Sequence, residues 1–178
     1  MPPPAALRGG MDKTALHSLS YGVYVVSSRT DDRLNGQICN TVFQITAQPP
    51  RLAISVNREN YTHLCLRRSG AFSVSVLSED VPMRYIGRFG FRCGRNFEKF
   101  EDIDYRIGET GSPIPLEHAV AWLECRVSDE FDCGTHSLFM GDVVGAERLD
   151  TAAKPMTYEY YHNVVKGKSP STAPTYIG

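Results

Sequence analysis

The sequence predicts a mainly β protein, a small barrel or sandwich carrying a few short helices. Three observations predict it. About six or seven short runs are rich in β-branched and aromatic residues. Clusters of Gly, Pro, Asn and Asp separate them and read as turns. Helical periodicity is confined to brief segments, with no strand–helix–strand alternation. At 178 residues the chain suits one domain with a proper core.

In chain order, Met11 to Ser20 reads as a short helix with Asp12 near its start and Leu16 and Leu19 on one face. Tyr21 to Ser27 reads as a strand. Arg29 to Gly36 reads as a hairpin turn, because Asn35-Gly36 readily supplies positive φ. Gln37 to Thr46 is the second strand and Leu52 to Val56 the third, broken by Gln48-Pro49-Pro50. A helix over Tyr61 to Ser69 has Asn60 as N-cap and Gly70 just past its end. Phe72 to Leu77 alternates as a strand, and Ser78-Glu79-Asp80 opens a helix towards Phe89. A Gly- and Arg-rich loop follows to Phe100. Ala119 to Val127 and His136 to Val144 are strands, with Ala146 to Leu149 extending the sheet. The end of the chain carries Tyr158, Tyr160 and Tyr161 and then reads as a linker.

Composition narrows the function. A formal charge of −1 provides no global basic field for nucleic acid or an anionic membrane. No apolar run approaches the ~18 residues of a membrane span. Residues 1–10 lack the apolar core of a secretory signal and read as a disordered leader. The five cysteines are odd in number, widely spaced and free of any CxxC pair, which argues against a disulfide framework or a metal site and points to the cytoplasm. The glycines of GRFGFRCG follow a helix and precede no strand–helix unit, so they are no dinucleotide fingerprint.

Several residues could carry chemistry. Asn57, Arg58, Asn60 and Thr62 stand where a strand feeds a helix start, a place suited to an anion such as phosphate. An ordinary capped helix explains the same residues, and local sequence alone favours it. Cys39, Asn40 and Thr41 interrupt an apolar strand and could hydrogen-bond the edge of a flat heterocycle such as a flavin, or simply be a strand edge. Lys99 could neutralise a phosphate or an anionic ring, or be a surface lysine. His136 could hydrogen-bond a cofactor, or be structural. Tyr158 and Tyr161 could cover a flat cofactor, or be core.

The order of these blocks carries more than any one of them. YGVYVVSS, NGQICNTVFQITAQPP, LAISVNRENYTH, GAFSVSVLSED, FGFRCGRNFEKF, GSPIPLEHAVAWLECRV and GTHSLFMGDVV together resemble the flavin reductase-like proteins of the FMN-binding split β-barrel superfamily. Glu98 stands where that pattern has Asp before Lys-Phe, and Thr135 where it has Asp before His. The stretch PMTYEYYHNVVKGKSPSTAPTYI resembles the flavin domain of high-molecular-weight rubredoxins and the flavoredoxins. The resemblance implies a split barrel of Greek-key type over residues 11–165, with 166–178 as a C-terminal tail. It implies a homodimer, bound FMN, and NAD(P)H as transient co-substrate. Electrons would pass to a rubredoxin or flavodiiron-type protein, or to free flavin. Asn40 and Thr41, with Cys39, would meet the isoalloxazine edge. Ser55, Asn57 and Thr62, with Arg58 and Asn60, would line the ribityl–phosphate region. Lys99 and His136 would bond the flavin, with His136 the candidate catalytic group, and Tyr158 or Tyr161 would pack beside the ring. Two other readings remain: an FMN electron carrier without NAD(P)H activity, and a non-catalytic flavin- or haem-binding barrel.

Overall fold

The computed structural model describes residues 12–176, and the leader assigned to residues 1–10 lies outside them. The fold is mainly β. Strands β1 (Tyr24–Arg29), β2 (Leu34–Cys39), β3 (Val42–Ala47), β4 (Pro50–Asn57), β5 (Ala71–Leu77), β8 (Ala119–Asp132) and β9 (His136–Arg148) form one antiparallel sheet. Their order is β2-β1-β5-β8-β9-β4-β3. Short strands β6 (Tyr105–Ile107) and β7 (Pro113–Pro115) make a separate hairpin. Helices α1 (Tyr61–Ser69), α2 (Met83–Gly90) and α3 (Tyr158–Asn163) complete the chain.

The sheet is curled. β2 and β3 are its outermost strands, yet only Asn40 and Thr41 join them. Laid flat, seven strands would put their outer members about 29 Å apart. Three Cα steps span at most about 11 Å. The two edges must therefore meet at this corner. There Ser55 N donates to Thr41 O at 3.2 Å, and the Cys39 thiol donates to Ser55 O at 3.7 Å. No ladder joins β2 to β3 among the described residues, so the ring of strands stays open.

Apolar side chains fill two regions. Val26, Leu52, Ile54, Val56, Phe72, Val74 and Phe139 pack inside the curl, with Leu66 of α1. Val23, Val25, Leu77, Ile86, Phe89, Met156 and Tyr161 pack together in the second, against α2 and α3. Val25 and Val26 fall in different clusters because neighbouring strand residues point to opposite faces. Strand β5 is buried on both faces, not one. Its Ser73 and Ser75 hydroxyls donate to Pro113 O and Pro115 O at 2.5 and 2.7 Å, which pins β7 across it.

Several expectations need correction. The run Gln37 to Thr46 is not one strand but two, at opposite edges of the sheet. Asn35-Gly36 is not a turn. Both residues lie in β2 opposite Ser28 and Ser27, and the turn is tighter, with Thr30 N donating to Arg33 O at 2.9 Å. Cross-strand pairing outweighs the local turn preference. The N-terminal helix is a 3₁₀ segment, Lys13–Ser18, capped by Asp12, and Leu16 and Leu19 are exposed. α2 begins at Met83, after Pro82, not at Ser78. α1 has the expected limits, and Gly70 ends it with φ 64°, the left-handed geometry glycine adopts without strain.

Candidate functional site

A cleft of about 340 Å³ opens beside the unladdered corner. One wall is β2, the end of β4 and the start of α1. The other is the end of α2, the loop after it, α3 and the tail. Of the residues singled out from sequence, Cys39, Asn40, Ser55, Asn57, Asn60, Thr62, Lys99, Tyr158 and Tyr161 line it.

At one end is the helix start. Asn57 Oδ1 accepts from Glu59 N at 3.0 Å, turning the chain out of β4. Asn60 sits at the N-cap position but makes no side-chain cap; its Nδ2 donates to Gln37 Oε1 at 3.1 Å. The first-turn N–H groups of α1 therefore lack a side-chain acceptor just where Tyr61 and Thr62 meet the cleft. Such a terminus carries partial positive charge. Thr62 is buried, and its hydroxyl accepts from Asn35 Nδ2 at 2.8 Å. Arg58 is not part of this end. It is exposed and donates to Asp132 Oδ2 at 2.7 Å, beyond the cleft. The Gly134 N–H donating to Asp132 Oδ1, helped by the Arg58 guanidinium beside it, holds the Asp132 carboxyl below its usual range.

Lys99 is not a surface lysine. It is buried and donates to Gly36 O at 2.7 Å and Phe89 O at 3.0 Å, tying β2 to α2. Desolvation pushes its ammonium down to about 8. One of its three N–H donors is uncommitted.

At the corner, Cys39 is buried, and burial pushes its thiol up to about 12, so it is chemically quiet. Asn40 Oδ1 accepts from the Thr41 hydroxyl at 3.0 Å, and its Nδ2 donates to Thr175 Oγ1 at 2.6 Å. Thr41 faces a second, shallower hollow with Tyr24, Val42 and Phe43.

The tail is not a linker across the described residues. Lys168 to Pro174 forms part of the cleft wall. Tyr161 donates to Lys168 O at 3.1 Å, Tyr158 bonds Ser169, and Thr175 donates to the Tyr158 hydroxyl at 3.0 Å. Gly167 permits this, since a Cβ there would stand 2.0 Å from Tyr161 Cζ. His136 lies behind the tail, outside the cleft lining. Its Nδ1 pairs with Thr135 Oγ1 at 2.9 Å and its Nε2 with Thr172 O at 3.3 Å, so both nitrogens are engaged.

Sequence reasoning missed Asn35, Gln37, Gly94 and the tail. The Asn-Gly pair was the one available signal, and it pointed to a turn. Among the described residues no cluster of His, Cys, Asp and Glu could hold a metal ion, and no helix is long and apolar enough to cross a membrane.

An FMN-sized group fits the cleft's chemistry. An uncapped helix start with a buried threonine suits a phosphate, and a polar corner and two tyrosines suit a flat ring. Asn35 Oδ1, buried at the cleft wall, has no hydrogen-bond partner among the described residues.

Comparison with known proteins agrees with the resemblance read from the sequence. The family described as flavin reductase like domain matches residues 16–167. A ferric-chelate reductase (NAD(P)H) of Archaeoglobus fulgidus is 49% identical over 167 residues, 94% of this chain and 98% of that protein. A high molecular weight rubredoxin of Moorella thermoacetica is 46% identical over 166 residues, 93% of this chain and 72% of that protein. Among solved structures, the NADH:FAD oxidoreductase SgcE6 of Streptomyces globisporus superposes with a TM-score of 0.71 at 27% identity, covering 87% of this chain and 93% of that one.

Proposed function

The chain belongs to the flavin reductase-like family, and from that membership we propose that it is an FMN-dependent oxidoreductase, drawing reducing equivalents from NAD(P)H and passing electrons onward. One observation carries the reading: a single cleft, lined also by Tyr158 and Tyr161, joins an uncapped helix start, at Thr62, to a polar sheet corner, at Asn40. A bound flavin would supply the redox chemistry itself. The residues of this chain bind and orient. The α1 N-terminus, with Thr62, would hold the phosphate. Asn40 and the free edge of β2 would hydrogen-bond the ring, and Lys99 would offer its uncommitted donor. Tyr158, Tyr161 and the tail would limit water.

The electron acceptor fits a small redox protein of rubredoxin type, a flavodiiron-type protein or free flavin, in keeping with the rubredoxin named among the relatives. The curled open sheet fits a split barrel of Greek-key type. A homodimer is the natural way to cover β3, whose Phe43 and Ile45 are 49% and 39% exposed beside the hollow at Leu19 and Val42. The cytoplasm is the compartment that suits the free thiols.

The test is the absorption spectrum of FMN-loaded protein mixed anaerobically with NADH and with NADPH. Bleaching of the flavin band within seconds is expected. A stable yellow protein would instead favour an electron carrier, a reading supported by the tail lying across the cleft. A protein that takes up no FMN would end both.

A further inference from the structure

Asn35 is 1% exposed on β2 and is used at one end only. Its Nδ2 donates to Thr62 Oγ1 at 2.8 Å, while its Oδ1 has no partner among the described residues. A threonine hydroxyl has one hydrogen to donate and two acceptor positions. Because Asn35 supplies a donor, Thr62 keeps its own hydrogen, and no acceptor for it is present among the described residues. Thr62 is 2% exposed and lines the cleft beside the uncapped start of α1. Gly94 makes room for the arrangement: a Cβ there would fall 1.9 Å from Asn35 Oδ1 and 3.2 Å from the Tyr61 ring. Burying an amide with one half unpaired is costly, and an aliphatic side chain would fill the same space without that cost.

We propose that Asn35 is a positioning residue for the cofactor's phosphate: by donating to Thr62 Oγ1 it turns the Thr62 hydroxyl hydrogen towards an anion in the cleft. The proposal rests on the FMN reading and deepens it. It touches no redox step. Aspartate at this position reverses the arrangement, because a carboxylate has no donor and takes the Thr62 hydrogen for itself. Leucine removes the donor without adding charge, so it separates lost orientation from new repulsion.

The experiment measures FMN and riboflavin affinity by fluorescence titration in wild type, Asn35→Asp and Asn35→Leu. Riboflavin lacks the phosphate and also reports whether each variant is folded. The expected result is FMN affinity falling roughly ten- to hundredfold in both variants, as for the loss of a hydrogen bond to a charged group, with riboflavin affinity within about twofold of wild type. FMN and riboflavin weakening together, FMN binding unchanged, or loss confined to the aspartate variant would each overturn the positioning role. Wild-type protein with no preference for FMN over riboflavin would overturn the phosphate placement itself, and the proposal with it.

Discussion

Lys99 gives the sharpest quantitative test, because its cost can be worked from its burial. It is 3% exposed, and its ammonium is pushed from 10.5 down to about 8 by desolvation. The folded state therefore binds fewer protons than the unfolded chain between about pH 8 and 10.5. Stability from this group rises with pH across that window, is complete above 10.5, and is lost as pH falls through 8. Between about pH 7 and 9.5 the two values give a gain of about 2 kcal/mol. The perturbation is Lys99→Met, which removes the titration. Urea unfolding of FMN-free wild type and variant at the two pH values isolates it, since all other groups cancel in the difference. Wild type should gain about 2 kcal/mol on the variant between the two conditions. Parallel pH profiles for the two proteins would refute a buried, charge-penalised lysine. They would also remove the reason for its short bonds to Gly36 O and Phe89 O.

Three other expectations follow from the site and its frame. Arg58→Ala should leave FMN affinity within about twofold, because its partner is Asp132, whereas Thr62→Ala should weaken it roughly tenfold or more; fluorescence titration compares them. Gly167→Ala drives a methyl into the Tyr161 ring, so it should detach the tail and speed FMN release, read as the off-rate after dilution. Gly141→Ala places a Cβ 2.8 Å from the Phe72 ring and 2.9 Å from Cys125 Cβ inside the curl. It should cost about 1–3 kcal/mol in denaturant unfolding without changing the flavin spectrum.

What was legible in the sequence was what local chemistry decides. α1 runs between Asn60 and Gly70 because a polar start and a left-handed glycine are local signals. The first strand is equally local, since its run of aromatic and β-branched residues favours extended backbone. What was not legible depended on partners far along the chain. Asn35-Gly36 has the composition of a turn, and only pairing with Ser28 and Ser27 makes it strand. The tail has the composition of a linker, and partners distant in sequence or folded back on it, Asn40, His136, Tyr158, Tyr161 and His162, hold its groups. Arg58 stands next to the helix start in sequence, yet Asp132 draws it away from the cleft. Asn60 took the expected position without the expected bond: its Nδ2 donates to Gln37 of β2, and its side chain caps no N–H of α1.

The position of the cleft follows from the strand order. In an antiparallel pair only half of a strand's N–H and C=O groups face the neighbour. Among the described residues β2 pairs with β1 on one side and with no strand on the other, so its remaining groups turn outward along the cleft. An unpaired edge normally invites another chain, and proteins guard it with charge, proline or a covering segment. Here Lys99 takes the outward Gly36 carbonyl, and the tail covers the end near Asn40. Between them the outward N–H and C=O of Ile38 remain, beside a helix start that no side chain caps. A flat ligand with a hydrogen-bonding edge and a terminal anion complements both at once. The same open edge that keeps the sheet from closing is therefore what makes room for a cofactor. An Ile38→Pro substitution, which removes an N–H from β2, should lower flavin affinity while hydrogen exchange on β8, across the curl from the open corner, stays as in wild type; a matching loss of protection on β8 would refute the local reading.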